Sequence, residues 1–209
     1  MDFALDMTIW NINKDEQDKK IHGVGYMDDS GRYEFNNKAY LVWYHMLQLA
    51  KDKPDENIIC DEWKNYNNFY EWYIKNYYTV GKEKMDLKKN IFDKHNKVFS
   101  PQHCIFVPYR IAVLLRENKT NDREYPVGVG KRKGANTYYS SCSIVKNGKK
   151  TTKTRNGFAT VEEAYNQYKN DRLEYIHNVA EAYMYDIPER LYEALMNWEI
   201  DSRCLIKRV

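Results

Sequence analysis

Apolar and polar positions along this 209-residue chain alternate with two different periods. In the first half, Tyr40, Trp43, Leu47 and Ala50 fall on one face at helical spacing, and Phe69, Trp72 and Tyr73 do so between Asn67 and Tyr77. Ser100-Pro101 has the form of an N-cap followed by proline at the first helical position, which predicts a helix there. Cys104 to Val107 is a short apolar run, and Pro108 opens a further expected helix that ends near Leu115. These aromatic stripes read as core. Nine consecutive polar residues, Arg116 to Glu124, then predict a linker and a domain boundary near residue 120. The expected domains are 1–119 and 120–209.

After that boundary the period changes. Val127-Gly128-Val129 reads as a short strand, Lys131 to Asn136 as a basic turn, and Thr137 to Val145 as a second strand. Asn147-Gly148 supplies a hairpin turn, and Lys150 to Arg155 forms the third strand. Along strand two, Tyr138, Ser140, Cys142 and Ile144 share one face, while Tyr139, Ser141, Ser143 and Val145 share the other. The first set suits a core and the second a half-polar open surface. Thr160-Val161-Glu162-Glu163 is a capping box. It opens a helix whose stripe is Val161, Tyr165, Tyr168, Ile176, Val179 and Tyr183. Pro188 opens a last helix with Leu191, Leu195 and Trp198 on one side. The expected class is α+β: a mixed first region, then a three-stranded antiparallel sheet on a helix, and a final C-terminal helix.

Composition removes several alternatives. Nine glycines and five prolines beside 15% aromatic residues exclude a collagenous or low-complexity chain. No apolar run, that of Ile111 to Leu115 included, is long enough to span a bilayer, and the acidic Met1 to Asp6 stretch does not read as a secretory signal. A soluble cytoplasmic protein with no membrane partner is expected. Cys60, Cys104, Cys142 and Cys204 are scattered without a C-x-x-C pair, so neither a structural zinc site nor a disulfide framework is expected. Twenty asparagines and 19 tyrosines fit an A/T-rich genome, and the tyrosines carry no functional argument by themselves.

Charge separates the segments. Residues 1–119 hold 18 basic and 18 acidic side chains. Residues 123–155 hold nine basic side chains against Glu124 alone, a net of +8, and residues 156–209 return to −4. So basic a block inside a balanced chain is the electrostatic footprint of a polyanion-binding face. The candidate nucleic-acid contacts are Lys131, Arg132, Lys133, Ser141, Ser143, Lys149, Lys150, Thr152, Lys153 and Thr154.

The segments Tyr125 to Val129, Tyr138 to Ile144 and Phe158 to Tyr165 resemble the ethylene-response-factor (Apetala-type) DNA-binding domain, over about residues 125–183. That resemblance implies a sheet whose open face enters the major groove. It implies base and phosphate contacts at Arg132, Ser141, Ser143, Thr152 and Thr154. Val127 and Gly130 stand where that family carries arginines, and Arg155-Asn156 where it closes strand three with leucine and glycine. The first half resembles the HNH-type homing endonucleases of phages that carry this same C-terminal domain. The matching segments are Lys38 to Leu47, Cys60-Asp61-Glu62-Trp63 with Phe69 and Trp72, and Ser100 to Pro108. Such nucleases use a divalent metal and a base that activates water. The relatives read L-D-K-D-I where this chain has Leu87-Lys88-Lys89-Asn90-Ile91, so two carboxylates are replaced by groups that hold a hard cation poorly. Leu49-Ala50 likewise replaces their Arg-Cys.

Three functions follow as expectations. The first is a phage-type nucleic-acid-binding protein, DNA before RNA, built on a decayed endonuclease with no metal, no cofactor and no catalytic residues. The second is an active HNH-like enzyme using Mg²⁺ near Asp86, His95 and His103, with Asp93 and Asn96 close in sequence. The third is an inhibitor of a host defence complex (anti-CRISPR-like), or an RNA-binding protein, on the same scaffold.

Overall fold

In the computed structural model, residues 20–28, 36–116, 124–146 and 149–200 are described. The elements are α1 (Asn37–Asp52), β1 (Ile58–Ile59), α2 (Asp61–Lys64), α3 (Tyr66–Asn76), β2 (Met85–Lys88), β3 (Val98–Phe99), β4 (Ile105–Pro108) and α4 (Tyr109–Leu114). After them come β5 (Val129–Lys131), β6 (Tyr138–Lys146), β7 (Lys149–Phe158), α5 (Val161–Tyr183) and α6 (Glu189–Met196). The class is mixed α+β. The chain divides into two compact units: residues 1–79 with 87–106, and residues 80–86 with 107–209. The division cuts β2 and β4, which pair with each other, and each unit is described by itself. The boundary expected near residue 120 lies outside the described residues.

The first unit is built on the aromatic stripes. Asn36 caps α1 by accepting from the Lys38 and Ala39 amides at 3.0 and 3.1 Å. Trp43 and Leu47 are fully buried on the face the periodicity marks. The Trp43 indole N–H donates to the Trp63 carbonyl at 2.7 Å, so the ring is buried without an orphaned donor. Trp63, Tyr66, Phe69, Tyr73 and Phe106 continue this core through edge-to-face and tilted ring contacts. A short parallel pair, Ile58↔Val98 and Ile59↔Phe99, closes the unit. The helix expected at Ser100-Pro101 is a single turn. The Cys104 amide returns to the Ser100 carbonyl at 3.0 Å, and the buried run Ile105-Phe106-Val107 then continues as β4. An apolar run buried at every position suits a strand better than an amphipathic helix.

The second unit holds the antiparallel sheet β5-β6-β7, with α5 packed against β6. Its first strand begins two residues later than expected. Gly128 takes φ +79, and the Val129 amide closes a turn onto the Pro126 carbonyl. A side chain at Gly128 would overlap the Tyr168 ring, so glycine is required for both reasons. The capping box of α5 is present: Thr160 Oγ1 accepts from the Glu163 amide at 3.1 Å, and the Glu163 carboxylate takes the Thr160 amide at 3.4 Å. Ala164, Tyr165, Ile176 and Ala180 are buried along its inner face. In α6, Leu191 and Leu195 are fully buried, whereas Trp198 lies just past the helix end. Among the described residues, no helix is long and apolar enough to cross a membrane.

Candidate nucleic-acid interface

Register decides which side chains share a face. Ser141 pairs with Thr154, Ser143 with Thr152, Val145 with Lys150 and Tyr139 with Asn156. Cys142 pairs with Lys153, Ser140 with Arg155 and Ile144 with Thr151. In an antiparallel ladder, directly paired residues point to the same side. Because Ser140 and Cys142 are buried beside α5, the Tyr139-Ser141-Ser143 series faces away from the helix. Ser143, Lys150, Thr152, Thr154 and Asn156 are exposed there and Ser141 is half-buried. The alternation read from the sequence is the alternation of this sheet. A side chain at Gly130 would collide with the Tyr139 ring, so that phenol lies across β5 on the same open side.

Cations flank this hydroxyl surface. Arg132 and Lys133 are exposed on the turn between β5 and β6, and Lys149 and Lys150 are exposed where β7 begins. Lys131 is exposed at the end of β5, its ammonium 5.2 Å from the centroid of the Tyr138 ring. The hairpin turn Asn147-Gly148 lies outside the described residues, but Lys146↔Lys149 brackets it in register. At about 4.8 Å between strands, two or three strands measure roughly 5–10 Å across. A B-DNA major groove, about 12 Å wide, admits such a ribbon.

Lys153 does not belong to the open face. Its Nζ lies 2.8 Å from Asp171 and 2.9 Å from Glu174, both on α5. Arg155 Nε is 3.2 Å from the other Asp171 oxygen. The Asp171 side chain is 2% exposed. Burial pushes its carboxyl upward, but hydrogen bonds from Lys153, Arg155 and Gln167 outweigh this and hold it below the ordinary range. The same contacts with Asp171 and Glu174 raise the Lys153 ammonium. Of the ten expected contacts, Ser141, Ser143, Lys150, Thr152 and Thr154 share the open face, and Arg132 and Lys133 stand on the β5–β6 turn. Lys131, paired with Tyr138, and Lys149, paired with Lys146, fall on the side of Cys142, and Lys153 is drawn into this ionic cluster. Sequence reading missed Asp171. The signal was an acid three residues after Tyr168 on the buried stripe, opposite a strand with basic residues two apart.

The residues named for a nuclease site fall in both units. Asp86 belongs to the second unit, with Lys84 at 3.5 Å. His95 and His103 belong to the first, both exposed. The His103 ring Nδ1 shares a 2.8 Å hydrogen bond with the Ser100 hydroxyl. The Asp93 carboxylate accepts from the His95 backbone amide, and the Asn96 side-chain amide donates to the Lys89 and Val98 carbonyls. Among the described residues, no three His, Cys, Asp or Glu side chains group in a way that could hold a metal ion. Cys104 is buried, and burial pushes its thiol up to about 12. Burial likewise raises Cys60 and Cys142, so none of these thiols is activated. Compared with known proteins, the chain matches no family model, no curated protein and no solved structure.

Proposed function

We propose that this protein binds nucleic acid, duplex DNA first, through the open face and ends of β5-β6-β7, on a phage-type scaffold derived from a homing endonuclease. The observation that carries the reading is the division of labour between the two faces. One side of the sheet is spent on α5, through Cys142, Ser140 and the Asp171 cluster. The other displays Ser143, Thr152 and Thr154 between exposed cations at both ends. Cations at the edges suit phosphates on the two walls of a groove, and short hydroxyl side chains between them suit base edges or sugar. Neutralising four phosphates gives a salt slope near −4 for duplex DNA.

Lys88 and Asn90, where the resembled nucleases have aspartates, support binding without cleavage. The test is fluorescence anisotropy with a 20-base-pair duplex at several salt concentrations. Binding with a slope near −4 that becomes shallower in Lys149→Ala/Lys150→Ala fits the reading. Binding that is unchanged in that variant and in Arg132→Ala/Lys133→Ala overturns it.

A further inference from the structure

Two rows of side chains form the open face of β6 and β7, matched by the pairing of Tyr139 with Asn156, Ser141 with Thr154, Ser143 with Thr152 and Val145 with Lys150. Residues two apart on a strand lie about 7 Å from each other, so Tyr139 to Val145 spans about 20 Å. At about 3.4 Å per base step, that is the length of roughly six base pairs. Val145 stands at the hairpin end of this face and is 54% exposed. Its backbone amide donates to the Tyr175 hydroxyl on α5 at 2.9 Å, which holds that end of the strand in place. A valine more than half open to solvent adds little to the core, so its methyl groups are accessible to a ligand. Thr152 and Thr154, exposed on the neighbouring strand, bring one methyl group each, and Asn156 brings an exposed carboxamide at the far end.

The major groove distinguishes these groups. Guanine offers two acceptors that suit arginine or lysine, and cytosine offers an amino group that suits a carboxylate. Adenine offers an acceptor beside a donor, matched by asparagine or glutamine, and thymine offers a methyl group for apolar contact. Among the described residues of β6 and β7 that face this way there is no arginine, aspartate or glutamate. The one lysine, Lys150, stands at the hairpin end with the cations assigned to phosphate. The serine hydroxyls suit any base, so methyl groups and one carboxamide are left to discriminate. We infer that this face selects A·T base pairs, with Val145, Thr152 and Thr154 against thymine methyl groups and Asn156 against adenine. The inference rests on the reading of β5-β6-β7 as a DNA-binding sheet and deepens it by naming the class of base pair preferred.

The experiment uses the full chain and three 20-base-pair duplexes, followed by fluorescence anisotropy. One is A·T-rich, one is G·C-rich, and the third is the A·T-rich sequence with every thymine replaced by uracil, which removes only the methyl group. The unaltered protein is expected to bind the A·T-rich duplex about tenfold or more tightly than the G·C-rich one. Uracil should cost about fourfold for each methyl group contacted. In Val145→Ser/Thr152→Ser/Thr154→Ser, checked for folding by circular dichroism, the thymine duplex should bind as weakly as the uracil duplex, at an unchanged salt slope. Val145→Ser alone should remove part of the uracil penalty, and Asn156→Ala should narrow the A·T over G·C ratio while leaving that penalty intact. Equal affinity for the A·T-rich and G·C-rich duplexes, with a salt slope near −4, overturns this inference and leaves the sheet as a DNA-binding surface. An A·T preference with no uracil penalty in the unaltered protein also overturns it, because groove shape is then what is read. A uracil penalty of the same size in the triple variant overturns the assignment to these methyl groups. No binding to any duplex overturns both readings.

Discussion

Lys153 on β7 and Asp171 on α5 are joined by a 2.8 Å ion pair that turns a strand lysine toward the helix and away from the open face. Arg155, two residues along the same strand face, meets the second oxygen of the same carboxylate. Period-2 geometry puts both cations on one side, and a single buried acid then satisfies both. Two of the nine basic side chains in residues 123–155 are therefore structural. The basic charge of this segment outside the cluster is smaller than the sequence total suggests.

Removing that carboxylate is expected to loosen the second unit. Asp171→Asn keeps the volume but leaves Lys153 and Arg155 without their shared partner, and a loss of about 2 kcal/mol is expected. The folded carboxyl is held below its reference value of 3.8. Its contribution is therefore present above about pH 4 and is lost as the pH falls through the depressed folded value. Urea unfolding at pH 7 and pH 3 checks this: the unaltered protein should lose more stability on acidification than Asp171→Asn. Equal losses in the two proteins would remove the ionic cluster as the cause.

Lys153→Ala and Lys150→Ala should behave differently although the residues are three apart. Lys150, paired with Val145 on the open side, should change the salt slope of DNA binding by about one unit and leave the melting temperature alone. Lys153→Ala should lower the melting temperature and leave the slope alone. Titrations at four salt concentrations with parallel melts separate them, and a slope change for Lys153→Ala would place it at the ligand after all.

Thr160→Ala is expected to cost about 1 kcal/mol through loss of the cap on α5, with no change in salt slope. The 3.1 Å bond to the Glu163 amide is the contact removed. A melting curve indistinguishable from that of the unaltered protein would argue that the first turn of α5 does not depend on its cap.

Ser143→Ala tests the open face directly. The hydroxyl is exposed opposite Thr152, so its loss should change preference among DNA sequences at nearly constant salt slope. Selection from a random duplex pool, before and after the substitution, reads this out. An identical preferred sequence would mean that Ser143 touches no base.

Supercoiled plasmid with Mg²⁺ is expected to stay uncut. The reason is the ammonium of Lys88 and the amide of Asn90, where the resembled nucleases carry carboxylates. Metal-dependent nicking that disappears in His103→Ala would reverse this and restore an enzymatic reading.

The sequence by itself determined the local elements whose causes are local. The Thr160–Glu163 capping box, the alternation from Tyr138 to Val145, and the helical stripes through Trp43 and Leu47 and through Leu191 and Leu195 depend on residues a few positions apart, and they stand in the structure as read. Boundaries were less legible. Whether Ser100-Pro101 opened a helix depended on where the Ile105–Val107 run would be buried, and β5 began only after Gly128 had made room for Tyr168, 40 residues away. The tertiary structure alone decided the fate of charge. Lysines at 150 and 153 are equivalent in a composition count, yet register sends one to solvent and the other to an acid on α5. Burial and pairing act between residues distant in sequence, and no periodicity along the chain records which partners meet.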